Sequence, residues 1–376
     1  MKHIIIAADI VPTKSNYEEF ISADTDYLIG TNLKSRLESA SFIAMNLETP
    51  LTDDTSPIKK CGPCLIAPIE TIAGIKAINP YFFTLANNHI LDQGVSGLES
   101  TMKVLSENGI EFSGVGYNLN EARKSYIKMV DGIKVGIYSC TEHEYSIATE
   151  IRAGANPYDP LVSFDDVKEL KTNCDYLIVL YHGGKEHYRY PSPILQKVFR
   201  KFADVGADLV VAQHTHCIGC KEEYNNSTLV YGQGNFLFDH SESEYWKTSL
   251  LIDVDLVERQ VDYIPLVKKD NCVREAKGKD REDILKAFSE RSSEIQNIGF
   301  IETRYKKLAN EMRAGYLQRF SGGFCKGMLF RILMKITHYK CLNRYYQEES
   351  RIAIENVLDC EAHRELAAEV MRVSED

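Results

Sequence analysis

Gln213-His214-Thr215-His216 follows the mainly apolar run Asp208-Leu209-Val210-Val211, with Ala212 between them. Four other polar clusters follow apolar, β-branched or aromatic runs in the same way. They are Ala8-Asp9, Asn46-Leu47-Glu48-Thr49-Pro50, Asn87-Asn88-His89-Ile90-Leu91-Asp92 and Tyr181-His182-Gly183-Gly184. Short apolar runs bounded by turn residues are typical of buried strands. The pattern therefore predicts five strands that each end in polar side chains.

The side chains at these strand ends are of the types that hold metal ions. In α/β sheets, ligands collect in the crevice beyond the carboxyl ends of the strands, so we expect the Asp, Glu, Asn and His side chains at one edge. Imidazole and carboxylate together suit Mn, Fe or Zn, whereas Mg and Ca prefer oxygen alone. The number of ligand-type side chains predicts two divalent ions, which together can hold the attacking and the leaving oxygen of a displacement.

His89 is a candidate for a different role, because it adjoins Asn88 and could protonate a leaving oxygen as a general acid. Each cluster also has a simpler explanation. A His at a strand end is often a hydrogen-bonded structural residue, and Asn side chains commonly bond the backbone in turns and helix caps. The metal hypothesis depends on the recurrence of five clusters and not on any one of them.

Six motifs, in order between about residues 2 and 268, resemble those of the CapA family. That family is associated with bacterial capsule and poly-γ-glutamate biosynthesis and has the calcineurin-like metallophosphoesterase fold. The motifs are Asp9, Asn46-Leu47-Glu48-Thr49-Pro50, Asn88-His89-Ile90-Leu91-Asp92-Gln93-Gly94, His182-Gly183-Gly184-Lys185-Glu186, His214-Thr215-His216 and Tyr231-Gly232-Gln233-Gly234-Asn235-Phe236. The resemblance implies an α/β fold, a four-layer α/β/β/α sandwich.

The resemblance also implies roles for individual residues. The implied metal ligands are Asp9 and His216 for one ion, Asn88, His182 and His214 for the other, and Glu48 between them. His89 matches the family's catalytic His, and Asp92 would orient it. The substrate-facing or supporting groups around the same cleft would be Asn46, Glu186 and Asn235. The parent phosphoesterases carry a His two residues after the first Asp, where this chain has Val11, so the first ion is expected to have one ligand fewer.

The composition narrows the class of protein. Hydrophobic residues make up 44% and charged residues 26% of the 376 residues, and the net charge is −10. A nucleic-acid-binding protein normally carries a basic excess, so we expect no nucleic-acid partner. The apolar run 4–8 is shorter than the roughly 7–15 residues of a secretory h-region, and no run approaches the ~18 apolar residues of a spanning helix. We therefore expect a cytoplasmic protein.

Two Cys pairs have metal-like spacing, Cys61-Gly62-Pro63-Cys64 and Cys217-Ile218-Gly219-Cys220. A four-Cys zinc site is an alternative, but the two pairs are much farther apart in sequence than those of zinc ribbons. We prefer the interpretation that these are small, reduced thiols, buried rather than bound to metal.

Strands and helices alternate through the first 215 residues, with helices predicted over 98–107 and 193–205. Later strand-like runs at 228–231, 249–257 and 260–267 lie close together in the sequence, which predicts antiparallel pairing in a second sheet. Beyond these strands the sequence becomes helical. The predicted helices are 282–297, 303–320, 324–346 and 349–373. The predicted domains are a CapA-like metallophosphoesterase-fold domain over 1–270 and a helical C-terminal extension over 271–376.

The extension contains a basic segment, residues 304–344, with ten Lys and Arg and one acid, Glu311. Its apolar residues repeat at helical spacing, as in a helix that lies on an anionic membrane surface. We expect the helices to pack on the main domain, and peripheral membrane contact through 304–344 remains the alternative.

The leading functional hypothesis is a metal-dependent hydrolase that acts on a phosphoester or on an anionic envelope polymer of the poly-γ-glutamate type. The alternative is a non-catalytic, metal-binding assembly factor that binds the polymer or its synthase. His89 beside Asn88 favours catalysis, since a binding protein needs no general acid there. An acyl-transfer enzyme is disfavoured, because the chain has no Gly-x-Ser-x-Gly elbow.

Overall fold

The computed structural model describes residues 3–238, 243–320, 328–337 and 340–371. The chain divides into two compact units, Met1–Ile301 and Glu302–Asp376. The first unit contains all the described strands, and the described secondary structure of the second is helical. The predicted domain boundary at residue 270 stays a prediction, and the helix that follows it belongs to the first unit.

The first sheet has eight strands with β1 near its centre. They are β1 (His3–Val11), β2 (Phe42–Leu47), β3 (Phe82–Thr84), β4 (Glu111–Ser113), β13 (Asn235–Phe238), β14 (Thr248–Asp255), β15 (Gln260–Lys269) and β16 (Cys272–Glu275). Their order is β16-β15-β14-β1-β2-β3-β4, and β13 pairs with the end of β1. Strands β1 to β4 are parallel, so their carboxyl ends lie at one edge of the sheet.

The second sheet has six strands in the order β11-β12-β10-β9-β7-β6. They are β6 (Tyr126–Val130), β7 (Ile133–Thr141), β9 (Tyr176–His182), β10 (Leu209–Gln213), β11 (Lys221–Tyr224) and β12 (Ser227–Val230). Its central strands β7, β9, β10 and β12 are parallel. Two short strands, β5 (Val115–Gly116) and β8 (Gly154–Ala155), form a separate ribbon.

In the described part of the first unit, nine α-helices connect and cover these strands. They are α1 (Tyr17–Ile21), α2 (Thr25–Leu28), α3 (Gly30–Ser39), α4 (Ile72–Ala77), α5 (Gly94–Glu107), α6 (Leu119–Ala122), α7 (Ser163–Lys171), α8 (Pro193–Asp204) and α9 (Gly278–Glu294). Helices α5 and α8 confirm the predictions at 98–107 and 193–205. The start of α8 is set locally, because the Ser192 side chain accepts a hydrogen bond from the Leu195 amide and Pro193 occupies the first turn.

Adjacent residues of the central strands face opposite layers. In β1, Ile6 packs into a cluster between the two sheets, whereas Ile5 belongs to the cluster under the outer helices. In β9, Ile178 joins the inter-sheet cluster, and Val179 packs in a cluster with Phe199 of α8. Because both faces of these central strands are buried, their sequences are unbroken apolar runs. The layers are therefore helix, sheet, sheet and helix, and the predicted four-layer α/β/β/α sandwich is confirmed.

The pairing predicted for the later strands is wrong in part. Strands β14 and β15 are antiparallel as predicted, but they extend the first sheet beside β1. Strand β12 belongs to the second sheet, where it is parallel to β10 and antiparallel to β11. The physical reason is that the chain crosses from one sheet to the other between β12 and β14. Closeness in sequence does not decide which sheet edge a strand completes.

The second unit contains α10 (Phe300–Phe320, which begins at the end of the first unit), α11 (Met328–Ile336), α12 (Lys340–Tyr345), α13 (Glu348–Asp359) and α14 (Glu361–Val370). Met334, Leu342 and Tyr346 form a small buried cluster of their own. The predicted helix 349–373 is two helices, because the backbone at Cys360 is extended. Of the predicted helix 324–346, residues 324–327 and 338–339 lie outside the described residues.

In the described parts of the chain, no helix is both long and apolar enough to cross a membrane. The expected packing of the C-terminal helices on the main domain and its alternative, membrane contact through 304–344, both stay predictions.

Candidate metal centre

The predicted polar clusters come together at the carboxyl ends of strands from both sheets. From the first sheet, Asp9 lies near the end of β1 and Glu48 directly follows β2. From the second sheet, His182 ends β9, and His214 and His216 follow β10. All five side chains are buried. The two sheets pack face to face and thus bring the ligand-type residues at the ends of their parallel strands to one place.

Two sets of three ligand-type side chains share Glu48. Group A is Asp9, Glu48 and His216, and group B is Glu48, His182 and His214. Within each group, one ligand atom of every residue lies within 4.8 Å of the others. This is the arrangement expected for two cation sites joined by one carboxylate.

The surroundings of His182 Nε2 extend group B. This nitrogen lies 3.0 Å from Asn88 Oδ1, 3.1 Å from His214 Nδ1 and 3.3 Å from Glu48 Oε1. All four atoms belong to side chains of the types that coordinate metal ions, so a cation among them could be bound by all four residues. The structure therefore brings Asn88 to the residues with which it was predicted to act.

Asn46 lies between the two groups and holds a member of each. Its Nδ2 is 2.8 Å from Asp9 Oδ1 and 3.2 Å from His182 Nδ1. Asn87 Nδ2 donates to Asn46 Oδ1 at 3.1 Å, and Asn87 Oδ1 accepts from the backbone amide of His89 at 3.1 Å. The predicted supporting role of Asn46 thus has a geometric basis in side chains that orient ligand-type residues.

The His-Thr-His segment has an unusual backbone. His214 and His216 both have positive φ, 84° and 53°, a region that costs non-glycine residues roughly 1–3 kcal/mol and often occurs at functional sites. The His214 amide donates to Asp9 Oδ2 at 3.3 Å, which ties the segment to the first sheet. The bend after β10 allows residues 214 and 216 to contribute to different groups.

Burial makes this centre electrostatically unfavourable without a cation. Burial, with a smaller contribution from the charge of Glu48, raises the pKa of Asp9 to about 7, and burial also raises the pKa of Glu48 to about 7. Burial lowers the pKa of His216 to about 3 and lowers those of His182 and His214 below their ordinary value. The carboxyl groups resist ionisation and the imidazoles stay neutral, which is the ligand form of histidine.

The surroundings of Glu48 indicate whether a metal ion fits the two groups. Both of its carboxylate oxygens are buried and form no hydrogen bond among the described residues, and His182 Nε2 lies 3.3 Å from Oε1. A buried carboxylate without hydrogen bonds is strongly unfavourable, and a divalent cation in each group would stabilise its charge. With imidazole nitrogens and carboxylate oxygens in each group, the donor set suits Mn, Fe or Zn.

His89 and Asp92 form a buried pair beside group B. His89 Nδ1 lies 2.5 Å from Asp92 Oδ2, and the backbone amide of Leu65 donates to the same oxygen at 2.6 Å. The other oxygen, Asp92 Oδ1, forms an ion pair with Lys60, whose Nζ also lies 3.1 Å from His89 Nδ1. The predicted orientation of His89 by Asp92 is present, and Lys60 is an addition that the sequence did not suggest.

Group A has an aromatic border. His216 Nδ1 lies 2.8 Å from Asn235 Oδ1, so the predicted supporting residue Asn235 orients this ring. On its face, His216 stacks against Trp246 with ring centroids 4.6 Å apart. Trp246 in turn donates from Nε1 to His187 Nε2 at 2.9 Å. Val11 is buried at the end of β1 and supplies no ligand atom.

Glu186 lies at the edge of the centre. Its Oε1 is 3.9 Å from His214 Nε2, and its side chain is 46% exposed. Sequence reasoning missed Lys60, Glu144 and Trp246. Glu144 Oε2 accepts from Asn88 Nδ2 at 2.9 Å and so directs Asn88 Oδ1 toward His182. Only Trp246, the single tryptophan of the chain, was conspicuous in the sequence.

The Cys pairs take no part in the ligand groups. Cys61 is exposed and Cys64 is half-buried, whereas Cys217 and Cys220 are buried. Among the described residues, the groups of three or more ligand-type side chains contain no cysteine. The preferred interpretation as buried thiols holds for the second pair and is wrong for Cys61, which lies on a surface loop.

The fold and the centre define a class: a four-layer α/β/β/α protein with buried side chains of metal-ligand type at the strand ends of both sheets. The model of the family described as "Bacterial capsule synthesis protein PGA_cap" matches residues 3–240. The chain belongs to this family, and the resemblance predicted from six motifs is confirmed.

Curated relatives agree with this membership. The chain is 28% identical to "Capsule biosynthesis protein CapA" of Bacillus anthracis, over 64% of this chain and 61% of the relative. It is 29% identical to "PGA biosynthesis protein CapA" of Bacillus subtilis, over 54% of each. The match to "Probable polyglutamine synthesis accessory protein" of Mycobacterium tuberculosis is 28%, over 52% of this chain and 55% of the relative. The chain thus spans less than two thirds of the length of these relatives.

Similar solved structures include a phosphatase of Mycoplasma pneumoniae, with 17% identity, a TM-score of 0.44 and coverage of 72% of this chain and 94% of that chain. Another is a 5'-nucleotidase precursor of Thermus thermophilus, with 13% identity, a TM-score of 0.43 and coverage of 77% and 58%.

Proposed function

We propose that the chain is a dinuclear-metal-dependent hydrolase of capsule or poly-γ-glutamate biosynthesis, which cleaves a phosphoester or a bond in an anionic envelope polymer. The observation that carries the proposal is the pair of buried ligand groups that share Glu48. The His89–Asp92 pair beside Asn88 adds a proton donor at the edge of the same centre.

The proposed ligands fall into the two groups of side chains, group A and group B. Group A would hold one ion, and group B together with Asn88 would hold the other. When bound, the two ions supply Lewis acidity and charge stabilisation for a displacement.

The protein's own side chains then perform the remaining tasks. His89 would give a proton to the leaving oxygen from Nε2, since its Nδ1 faces Asp92. Asn46 and Asn235 hold ligand side chains in place, because each contacts a ring nitrogen of a ligand histidine. Burial of Asp9, Glu48 and His182 keeps bulk water from competing for the ligands.

The names of the relatives support a role in polymer biosynthesis. Two Bacillus relatives are named for capsule or PGA biosynthesis. The Mycobacterium tuberculosis relative is named an accessory protein. That name favours a second candidate function, in which the chain keeps its metals and binds the polymer or its synthase without cleaving a bond.

A single experiment separates the two functions. The protein loaded with Mn or Zn is assayed with mono- and bis-p-nitrophenyl phosphate and with poly-γ-glutamate, alongside His89→Asn. Hydrolysis by the wild type, with kcat of the variant lowered about 10²–10⁴-fold and metal retained, supports the enzyme. His363→Asn serves as the matched control, because His363 is an exposed histidine of α14. A metal-loaded wild type that cleaves none of these substrates favours the accessory function.

A further inference from the structure

Lys60 occupies a position that is unusual for a lysine. Its side chain is 2% exposed, although it lies on the loop between Thr52 and Ala67, which contains no described α-helix or strand. Lysine is almost never buried unless its charge is paired. Its partner is the fully buried Asp92. The loop therefore sends a charged side chain inward to the residue that contacts His89.

Several backbone contacts fix this loop around Asp92. The Ile58 amide donates to the Asp92 carbonyl at 3.0 Å, and the Leu65 amide donates to Asp92 Oδ2 at 2.6 Å. Further along, Gln93 Oε1 accepts from the Ser56 amide at 2.8 Å. Lys60 thus enters the site from a loop that is held on both sides, and its position does not depend on one long flexible side chain alone.

The chemistry of each group identifies the donor and the acceptor in the contacts around Asp92. A carboxylate only accepts hydrogen bonds and an ammonium only donates them. His89 Nδ1 is 2.5 Å from Asp92 Oδ2, so it carries the proton of that bond. Lys60 cannot donate to a protonated Nδ1, and its 3.1 Å approach to that atom is a consequence of its bond to Asp92. Each Asp92 oxygen is therefore occupied, one by Lys60 and the other by His89 and the Leu65 amide.

We infer that Lys60 is a positioning residue for His89: by holding Asp92 Oδ1, it fixes the carboxylate so that His89 keeps its proton on Nδ1 and presents Nε2 for proton transfer. The inference rests on the proposed hydrolase function. Without Lys60, one oxygen of a buried carboxylate would lose its partner, and Asp92 would rotate or recruit another donor. His89 would then occupy more than one orientation.

The first test is kinetic and uses the metal-loaded full chain. Lys60→Met should lower kcat about tenfold or more for phenyl phosphate, with KM and metal content nearly unchanged. The loss should be smaller for p-nitrophenyl phosphate, whose leaving group needs little protonation. Lys60→Arg should recover much of the rate, and Lys59→Met, on the exposed neighbour, should behave as wild type. Equal losses for both leaving groups would contradict the inference.

The second test does not need activity. In the zinc-loaded protein labelled with ¹⁵N-histidine, the His89 signal, assigned with His89→Gln, should show a proton on Nδ1. Lys60→Met should broaden or shift this signal. If Lys60→Met does not fold, Lys60→Gln, which removes the charge and leaves Asp92 in place, is used instead, and a smaller change in the same direction is expected. An unchanged His89 signal overturns the inference. An inactive wild type with a responsive signal refutes the hydrolase and keeps the positioning role.

Discussion

Group A and group B share Glu48 but differ in their surroundings. Around group B, the carboxylates of Glu142, Glu144 and Glu186 all act on His182 and favour positive charge there. Asn88 Oδ1 also lies in hydrogen-bond range of the same ring. Around group A, the ring of Trp246 covers His216. Group B thus offers an amide oxygen and nearby negative charge, whereas group A offers three ligands and an aromatic wall.

Two halves of one centre can therefore have unequal affinity for a divalent ion. More donors and more nearby negative charge favour a divalent ion in group B. Position 11 is a valine, so group A gains no further ligand from β1. We therefore expect the ion of group B to be held more tightly than the ion of group A.

The largest effect is expected from Glu48→Gln. The shared carboxylate belongs to both groups, so its loss should reduce the metal content from about two ions per chain, the number that dinuclear centres hold, to well below one. Elemental analysis after reconstitution measures this. Glu99→Gln, a change of the same kind at an exposed carboxylate of α5, should retain the metal. Retention of both ions by Glu48→Gln would show that the two groups do not depend on a common ligand.

A second effect should appear when a chelator removes the ions stepwise. The ion of group A should leave at about tenfold lower chelator concentration than the ion of group B, which corresponds to about 1.4 kcal/mol. His216→Ala should abolish only the release at the lower chelator concentration. His214→Ala should abolish only the release at the higher concentration. Metal content at graded chelator concentrations measures both steps. A reversed order would mean that the aromatic wall stabilises group A more than the extra donors stabilise group B.

The pH dependence of metal binding should follow the carboxyl groups. The pKa values of Asp9 and Glu48 are raised to about 7, so below pH 7 both are mainly protonated and must release protons when a cation binds. The histidines, with lowered pKa values, are already neutral and release none. Affinity should therefore rise with pH through 7. Calorimetry in buffers of different ionisation enthalpy should detect more protons released at about pH 6 than at about pH 8.

In that calorimetric experiment, Asp9→Asn provides the comparison, since it removes one of the two titrating groups. Equal proton release at both pH values by the wild type would contradict the assignment of the protons to Asp9 and Glu48.

The smallest effect is spectroscopic. Trp246 stacks on His216 with centroids 4.6 Å apart, so an Mn or Fe ion in group A should quench part of the fluorescence of this single tryptophan. His216→Ala should lose the response, whereas His214→Ala should keep it. A response that is lost in His214→Ala and kept in His216→Ala would show that the quenching ion does not lie in group A.

The sequence predicted much of the centre because its ligands lie at strand ends. The alternation that buries Ile6 and Ile178 between the sheets is local, and it fixes where each strand stops. Asp9, Glu48 and His182 could therefore be found from their position after apolar runs. Their roles in the chemistry remain proposals.

The sequence could not predict the residues that reach the centre from loops. Lys60 lies 32 positions before Asp92 and Glu144 lies 56 positions after Asn88. No strand-like run directly precedes Lys60, so no periodicity marks it. Glu144 comes three residues after β7, which ends at Thr141, but this run was not among the five that were interpreted as strands with ligand-type ends. The prediction that β12 pairs in one sheet with β14 and β15 was wrong for a similar reason. A local pattern predicts a strand, but it does not predict the sheet to which the strand belongs.

By itself, the sequence determined the family, the strands and the kinds of side chain at their ends, because hydrophobic period and residue chemistry are properties of short segments. The tertiary structure alone decided that Trp246 covers His216, that Lys60 holds Asp92 and that Glu144 contacts Asn88. Each of these contacts joins separate segments. Such contacts form only when the two sheets and their loops pack together, and that packing depends on the complementarity of whole surfaces.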